Sequence, residues 1–433
     1  MKRLAAIVMA ALLLIGAVAQ AQSIPQTQFV TKSDLMALAT DTNSGQGLLA
    51  TGTDTDVKLS LVWGSRGESI KYYKTYDDEE TVPAGPLVWW VAGAEGADSL
   101  VLMTQEPLLG PMAFQETLDD QIFYGNQGTQ KVYANHWGAS QLRRALYLAQ
   151  PFTEAEKALR QRATTTTYDV KNDADYTIVD LLYAPAGDYN GDQYITVGER
   201  DQLRIFKSYW KGFFWLRSPH RYHNALALVA QPNDYVYNSY VTTETTNAVT
   251  AAAKMDMTSV LFASAASGSR AGRQTIAADA PLALRLDGSE KNLGSAWVTG
   301  DQATAWAENA QGARLMVQGN GFSYSLPITS NELVTLTATA VGLSSFADCQ
   351  VWLEKDMPDG GTLTWAVMAG TKELPTPTPA PTTTPAPTPA PTPTPAPTPV
   401  PIPDTGDGAA PALWLGLMVT GGLALILLKR KTA

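Results

Sequence analysis

The sequence predicts an α+β domain over residues 57–270, an all-β Ig-like sandwich over 280–371, a Pro/Thr-rich stalk and a C-terminal transmembrane helix. In the first region short alternating apolar runs are mixed with helix signals, without the regular strand–helix–strand alternation of a parallel sheet. In the second region helix signals fade, and alternating runs recur between Gly, Asn and Asp residues. Residues 374–403 are almost wholly Pro, Thr and Ala, which favours extended polyproline II, and the uncharged apolar run over 409–428 is long enough to span a bilayer.

The elements of the α+β domain follow from local patterns. Its strands show alternating apolar residues, and turn-forming residues over 93–98 join two of them into a hairpin. Capping boxes, formed by Thr153 with Glu156 and by Thr196 with Glu199, predict two helix starts. We expect strands over 57–63, 87–92, 100–103 and 176–183, one helix over 139–149, and helices from 153 and 196.

The sandwich contains the single cysteine of the chain, Cys349. It lies in an alternating run on the same face as Val351 and Leu353, so we interpret it as a small core residue rather than a nucleophile. Without an internal disulfide, stability must come from core burial. We expect the sandwich strands over 282–285, 313–317, 322–326, 333–338, 349–353 and 362–367.

The C-terminal segment resembles the LPxTG-type cell-wall sorting signal of Gram-positive bacteria. The motif is Ile402, Pro403, Asp404, Thr405 and Gly406, followed by the apolar run over 409–428 and the basic tail 429–431. The resemblance implies that a sortase cuts between Thr405 and Gly406 and joins Thr405 to peptidoglycan. The alternative interpretation is an ordinary C-terminal membrane anchor.

The N-terminal segment also predicts export. Residues 1–21 combine a basic start, an apolar stretch and a small-residue cleavage pattern, and the polar residues 22–56 lead into the first domain. Loss of this leader and of the residues after Thr405 removes five cations and one carboxylate, which changes the formal net charge from −10 to −14. We therefore expect an extracellular, wall-anchored protein with a membrane-inserted precursor, and no nucleic-acid partner.

The middle of the chain resembles the family called domain of unknown function 6273, which occurs in surface proteins of Gram-positive anaerobes. The resemblance rests on the blocks at 214–219, 224–227 and 259–266 and covers about residues 58–266. It implies no activity. A looser likeness is to the C-type-lectin-like fold, including its formylglycine-generating branch, but the domain lacks the cysteines that this branch uses for its chemistry.

One loop has the spacing of an EF-hand calcium site. Oxygen-bearing positions follow the EF-hand order, but Gln193 stands where such a loop has glycine. The alternative is a turn followed by a capped helix, and in that case the protein has no cofactor. The candidate calcium ligands are Asp188, Asn190, Asp192, Tyr194, Thr196 and Glu199.

No catalytic constellation is legible in the sequence. His220 and His223 are spaced to share a zinc ion, but the only other histidine, His136, is remote in sequence. Ser218 does not lie on a nucleophile elbow. We expect a protein that is not an enzyme, with Trp215 in the core and Arg217 as a buried anchor.

Tyrosines and amides after residue 219 indicate a ligand-binding surface. Aromatic rings stack on sugar rings, and amides and carboxylates bind the hydroxyls. The favoured function is therefore an adhesin-like head that binds an extracellular glycan or protein; a tethered polymer hydrolase and a structural wall component are the alternatives. The candidate ligand-binding residues are Tyr222, Asn224, Asn233, Asp234, Tyr235 and Tyr237.

Overall fold

Strands make up 47% of the described structure and helical segments 11%, so the fold is mostly β and contains several sheets. The computed structural model describes residues 28–40, 45–125, 128–189, 192–232, 235–359 and 361–370, which all belong to one unit. Within these ranges no helix is long and apolar enough to cross a membrane. The predictions that lie outside the described residues are the leader 1–21, the stalk 374–403, the motif 402–406, the apolar run 409–428 and the tail 429–431.

The described residues contain three α-helices, and the sequence patterns predicted two of them. The helices are α1 (Lys32–Thr40), α2 (Gln141–Leu148) and α3 (Glu154–Lys157). The Ser140 side chain caps α2 by accepting a hydrogen bond from the Arg143 backbone N–H, and α3 begins with the predicted capping box at Thr153. Helix α1 was not predicted. It buries Leu35, Met36 and Ala39 against the core.

The helix predicted from Thr196 is wrong, because residues Tyr194–Val197 form a strand. Ile195 and Val197 are buried on one face of this strand, which is the period-two pattern of β structure. The backbone N–H and carbonyl of Thr196 both bond to Ala186 at 2.9 Å, so this residue is held extended. Its side chain therefore does not cap a helix.

Nineteen strands lie in the described residues before 270. They are β1 (Phe29–Thr31), β2 (Ser60–Arg66), β3 (Ile70–Thr75), β4 (Asp78–Val82), β5 (Gly85–Ala94), β6 (Ser99–Thr104), β7 (Gln121–Gly125), β8 (Gly128–Val132), β9 (Arg160–Gln161), β10 (Ala163–Asp169), β11 (Ala174–Asp180), β12 (Leu182–Tyr183), β13 (Tyr194–Val197), β14 (Leu203–Phe206), β15 (Phe214–Pro219), β16 (Leu226–Ala230), β17 (Val236–Tyr240), β18 (Ala252–Asp256) and β19 (Val260–Ser264). The predicted hairpin is confirmed, because β5 and β6 pair antiparallel.

Nine further strands follow among the described residues. They are β20 (Gly272–Thr275), β21 (Leu282–Asp287), β22 (Gly294–Thr299), β23 (Gln302–Ala307), β24 (Ala313–Gly319), β25 (Phe322–Pro327), β26 (Val334–Thr337), β27 (Gln350–Asp356) and β28 (Thr364–Met368). All six strands predicted in this region are present with small shifts at their ends. Strands β20, β22 and β23 were not predicted.

The largest sheet joins strands from both predicted domains. Along its main path the order is β12-β18-β6-β5-β2-β21-β28-β27-β24-β25-β20. Strand β21 pairs in parallel with β2 on one side and with β28 on the other, whereas the other neighbours on this path are antiparallel. The sheet therefore runs through the boundary predicted between residues 270 and 280.

Three buried aromatic side chains pack together in the core between β2, β5 and the loop before α3. The ring of Trp63 on β2 lies 4.2 Å from that of Phe152, centroid to centroid, and 5.5 Å from that of Trp89 on β5. The Trp89 indole N–H donates a hydrogen bond of 2.7 Å to the Trp63 carbonyl, which satisfies its polar group. All three side chains are buried, so they hold the hairpin β5–β6 and the loop before α3 together.

A second apolar cluster lies between two sheets of the C-terminal part. Strands β22, β23 and β26 form one sheet, whose Ala303 and Leu336 pack in the same cluster as Leu315 and Leu353 of the main sheet. Cys349 packs against this cluster but is half-buried, whereas the sequence predicted a buried core residue. Burial raises the pKa of its thiol. The packing of two sheets accords with a sandwich, while its Ig-like topology stays a prediction.

Candidate ligand-binding cleft

A cleft of about 550 Å³ opens beside the WLRSP block, which is residues 215–219 of β15. Its walls come from the hairpin β10–β11, the loop after β12, the hairpin β13–β14, the end of β15 and the loop that follows it. The lining residues are Thr166, Thr167, Tyr168, Asp175, Ala186, Gly187, Asp188, Tyr189, Tyr194, Thr196, Asp201, Arg204, Ser218, Pro219, His220, Arg221, Tyr222 and Leu228. A cleft of this size accommodates a ligand of a few sugar rings.

Strand β15 holds the loop after β12 in place along one wall. The Arg217 backbone N–H donates to the Pro185 carbonyl at 2.9 Å, and the Gly187 N–H donates to the Ser218 hydroxyl oxygen at 3.1 Å. A Cβ atom at Gly187 would lie 2.6 Å from the Leu216 side chain, so a larger residue here would require the buried Leu216 to move. These contacts position Asp188 and Tyr189 at the cleft.

Arg217 is the buried anchor that the sequence predicted. Its side chain is fully buried and donates from Nη1 to the Ala184 carbonyl at 2.9 Å and from Nη2 to the Asp201 carboxylate. Burial raises the pKa of Asp201, and the guanidinium of Arg217 opposes this rise. Asp201 lines the cleft, but its charge is matched by Arg217.

Exposed aromatic rings form another part of the wall. The Tyr189 ring meets the His220 ring edge-on at a centroid distance of 4.6 Å, and the His220 ring lies 6.2 Å from that of Tyr222. Tyr222 is 89% exposed, so its ring is free to contact a ligand. Tyr237 is adjacent to this group, because its ring centroid lies 6.4 Å from that of Tyr189.

Two arginines of the cleft lie over tyrosine rings. The guanidinium carbon of Arg204 is 4.2 Å from the centroid of the Tyr194 ring, and that of Arg221 is 5.1 Å from the centroid of the Tyr168 ring. Such cation–π contacts hold the guanidinium planes while leaving N–H groups for other partners. The cleft thus combines apolar ring faces with charged hydrogen-bond donors.

The structure divides the predicted ligand-binding residues. Tyr222 lines the cleft and Tyr237 contacts Tyr189, whereas Tyr235 and Asn224 are exposed but do not line the cleft. Asn233 and Asp234 lie outside the described residues.

Four cleft residues that the sequence did not single out come from two hairpins, the loop after β12 and the loop after β15. These are Tyr168, Tyr189, Arg204 and Arg221. Each is unremarkable locally, and only the tertiary pairing of β10–β11 and β13–β14 beside β15 brings them together. For Arg204 the available signal was its position between the apolar Leu203 and Ile205 of β14, which places it on the opposite face of the strand.

The candidate calcium ligands have different surroundings in the structure. Asp188, Tyr194 and Thr196 line the cleft, but the Glu199 carboxylate lies 3.3 Å from the Lys254 ammonium and the Asp192 carbonyl accepts a hydrogen bond from the Val236 N–H. Asn190 lies outside the described residues. The described ranges contain no group of three His, Cys, Asp or Glu side chains that could hold a metal ion. A calcium role for this loop stays a prediction.

Comparison with known proteins found no matching family model, no matching curated protein and no matching solved structure.

Proposed function

We propose that the protein is a surface protein whose cleft binds an extracellular glycan. The observation that carries this proposal is the pair of exposed tyrosine rings, Tyr189 and Tyr222, at a cleft that also presents hydrogen-bonding side chains. Apolar ring faces complement the C–H faces of sugars, while polar groups fix the hydroxyls. Both kinds of contact are available in one cavity of suitable volume.

Display on the cell wall is the second part of the proposal. It is supported by the leader pattern at 1–21 and by the sorting motif at 402–406 with its apolar run and basic tail. Sortase and peptidoglycan would then be the partners of the C-terminal segment. The composition of residues 374–403 predicts an extended polyproline II stalk of roughly 90 Å, at about 3.1 Å per residue.

The family of the chain and the detailed fold of each predicted domain are also part of the proposal. The resemblance to domain of unknown function 6273 rests on the blocks at 214–219, 224–227 and 259–266, and the first of these lies beside the cleft. The C-type-lectin-like fold of this domain is part of the proposal. An Ig-like topology for residues 280–371 is supported by the two sheets that share one apolar cluster.

The first test is glycan binding by the full chain, solubilised in non-ionic detergent, with calcium and with a chelator. Tyr189→Ala should weaken binding about tenfold, because loss of one stacking ring costs on the order of 1.4 kcal/mol. Tyr147→Ala is the matched control, since Tyr147 is 73% exposed on α2 and does not line the cleft.

Saturable binding that Tyr189→Ala reduces and Tyr147→Ala preserves would support the proposal. Equal affinities for both variants would place the binding surface elsewhere and contradict it. Turnover of a glycan during the assay would favour the tethered hydrolase instead, and sensitivity to the chelator would support calcium binding by the loop that contains Asp188.

A further inference from the structure

The two cleft arginines have no acidic partner among the described residues. The arginine ion pairs of the described structure involve Arg143, Arg217, Arg285 and Arg314. Arg204 makes only a long hydrogen bond of 3.5 Å to the Tyr194 hydroxyl, and Arg221 contacts the Tyr168 ring. Their charge-assisted hydrogen-bonding capacity is therefore available to a ligand.

The two arginines differ in burial, and burial affects how strongly each one binds an anion. Arg204 is half-buried, whereas Arg221 is exposed. Partial burial removes hydration from a guanidinium, and a carboxylate restores the lost interaction better than a neutral hydroxyl does. Arg204 is consequently the stronger anion-binding group of the pair.

The carboxylates of the cleft do not neutralise Arg204. Asp201 is half-buried, but its charge is matched by the fully buried Arg217. Asp175 and Asp188 are exposed, so water screens them more effectively. The less exposed part of the cleft thus keeps an unmatched positive charge, although the whole chain has a formal net charge of −10.

We propose that the cleft selects acidic saccharides and that Arg204, assisted by Arg221, binds the sugar carboxylate. This inference rests on the proposed glycan binding and adds the class of glycan. The Tyr194 ring holds the guanidinium plane of Arg204, which favours a two-pronged contact with a planar carboxylate. The exposed rings of Tyr189 and Tyr222 then contact the sugar faces.

The experiment compares acidic oligosaccharides with their carboxyl-reduced counterparts. The probes carry uronic, nonulosonic or lactyl-ether carboxylates, and affinities are measured with the full chain in detergent at low and high salt. We expect at least one acidic member to bind about tenfold more tightly than its neutral partner, with the difference falling as salt rises.

Arg204→Gln should remove this preference, because the affinity for the acidic member falls far more than the affinity for its neutral partner. Circular dichroism and the melting temperature of the variant check that it is folded. Arg144→Gln is the matched control, because Arg144 is exposed on α2 and outside the cleft, and it should retain the preference. Arg204→Lys should recover only part of it, since lysine lacks the planar fork.

Equal binding of acidic and reduced glycans by the unmodified chain would overturn this inference while leaving glycan binding intact. Equal binding of a sulfated counterpart would overturn the assignment to carboxylates. If neither acidic nor neutral glycans bind, the proposed function itself fails.

Discussion

His136 is a buried histidine whose environment opposes protonation. Its ring stacks on that of Tyr176 at a centroid distance of 4.1 Å, and the ring of Phe123 lies 4.7 Å away. Burial lowers the pKa of His136 to about 4 from an ordinary value of 6.5, and the nearby Asp169 carboxylate only partly offsets this effect. The stability of the fold should therefore depend on pH through this residue.

We predict that His136→Phe makes the folded state less sensitive to acid. Below about pH 6.5 the unfolded chain binds a proton at His136, whereas the folded chain does so only near pH 4, so falling pH favours unfolding. Between these pH values the free energy of unfolding of the wild type should fall by up to about 3 kcal/mol, and the variant should not show this loss. Denaturant unfolding of both proteins at pH 7, 5.5 and 4 measures the difference.

Phenylalanine retains an aromatic ring beside Tyr176, which limits the packing change. His223→Phe is the control, because His223 is exposed and the variant still contains His136. That control should follow the wild-type pH dependence. Parallel curves for the wild type and His136→Phe would show that His136 does not set the acid response.

At the scale of elements, one buried carboxylate joins α3 to distant strands. Oε2 of Glu156 accepts from the Thr153 N–H at 2.9 Å, and Oε1 accepts from the Gly64 N–H at 3.1 Å and the Thr362 N–H at 2.7 Å. The side chain is 1% exposed. A helix of four residues has little stability alone, so these hydrogen bonds hold it against β2 and the segment before β28.

We predict that Glu156→Ala destabilises the fold by about 3 kcal/mol or more, because several buried N–H groups lose their acceptor. Glu154→Ala tests the same substitution in the same helix at a side chain that is 84% exposed and pairs only with Lys157. It should change stability by less than about 1 kcal/mol. Chemical denaturation of both variants provides the comparison, and similar losses would contradict the proposed link.

Local sequence patterns correctly predicted two elements that depend on nearby residues, a hairpin and a helix start. The hairpin β5–β6 has alternating apolar residues and a short turn, and the capping box of Thr153 and Glu156 marks α3 correctly. The same four-residue pattern at Thr196 and Glu199 failed, because alternation in β13 and pairing with β14 determine that segment. Helix α1 was missed although Leu35, Met36 and Ala39 lie on one helical face.

Long-range pairing explains what the sequence did not reveal about the whole molecule. Strand β21 pairs in parallel with β2, more than 200 residues earlier, and no local pattern encodes such a contact. The cleft has the same origin: Tyr222 was predicted from its neighbours, but Arg204 and Tyr168 reach the cleft from other hairpins. The two predicted domains therefore share a sheet, and the site includes residues that sequence spacing could not group.

The proposed wall attachment yields a prediction for the complete chain. In a sortase-containing Gram-positive host, Thr405→Ala should abolish the covalent wall-linked fraction, because the proposed acyl transfer needs the carbonyl of a correctly recognised threonine. The apolar run over 409–428 should then retain the protein in the membrane. Cell fractions released by a muramidase and by detergent are compared by immunoblotting.

Thr398→Ala provides the matched control, since it makes the same substitution within the Pro/Thr segment and outside the motif. It should leave the muramidase-released fraction unchanged. If Thr405→Ala remains covalently attached to peptidoglycan, the sorting motif is not the attachment site. If both the wild type and the variant are extracted by detergent alone, the C-terminal segment acts as an ordinary membrane anchor, and the cleft is displayed at the membrane rather than through the wall.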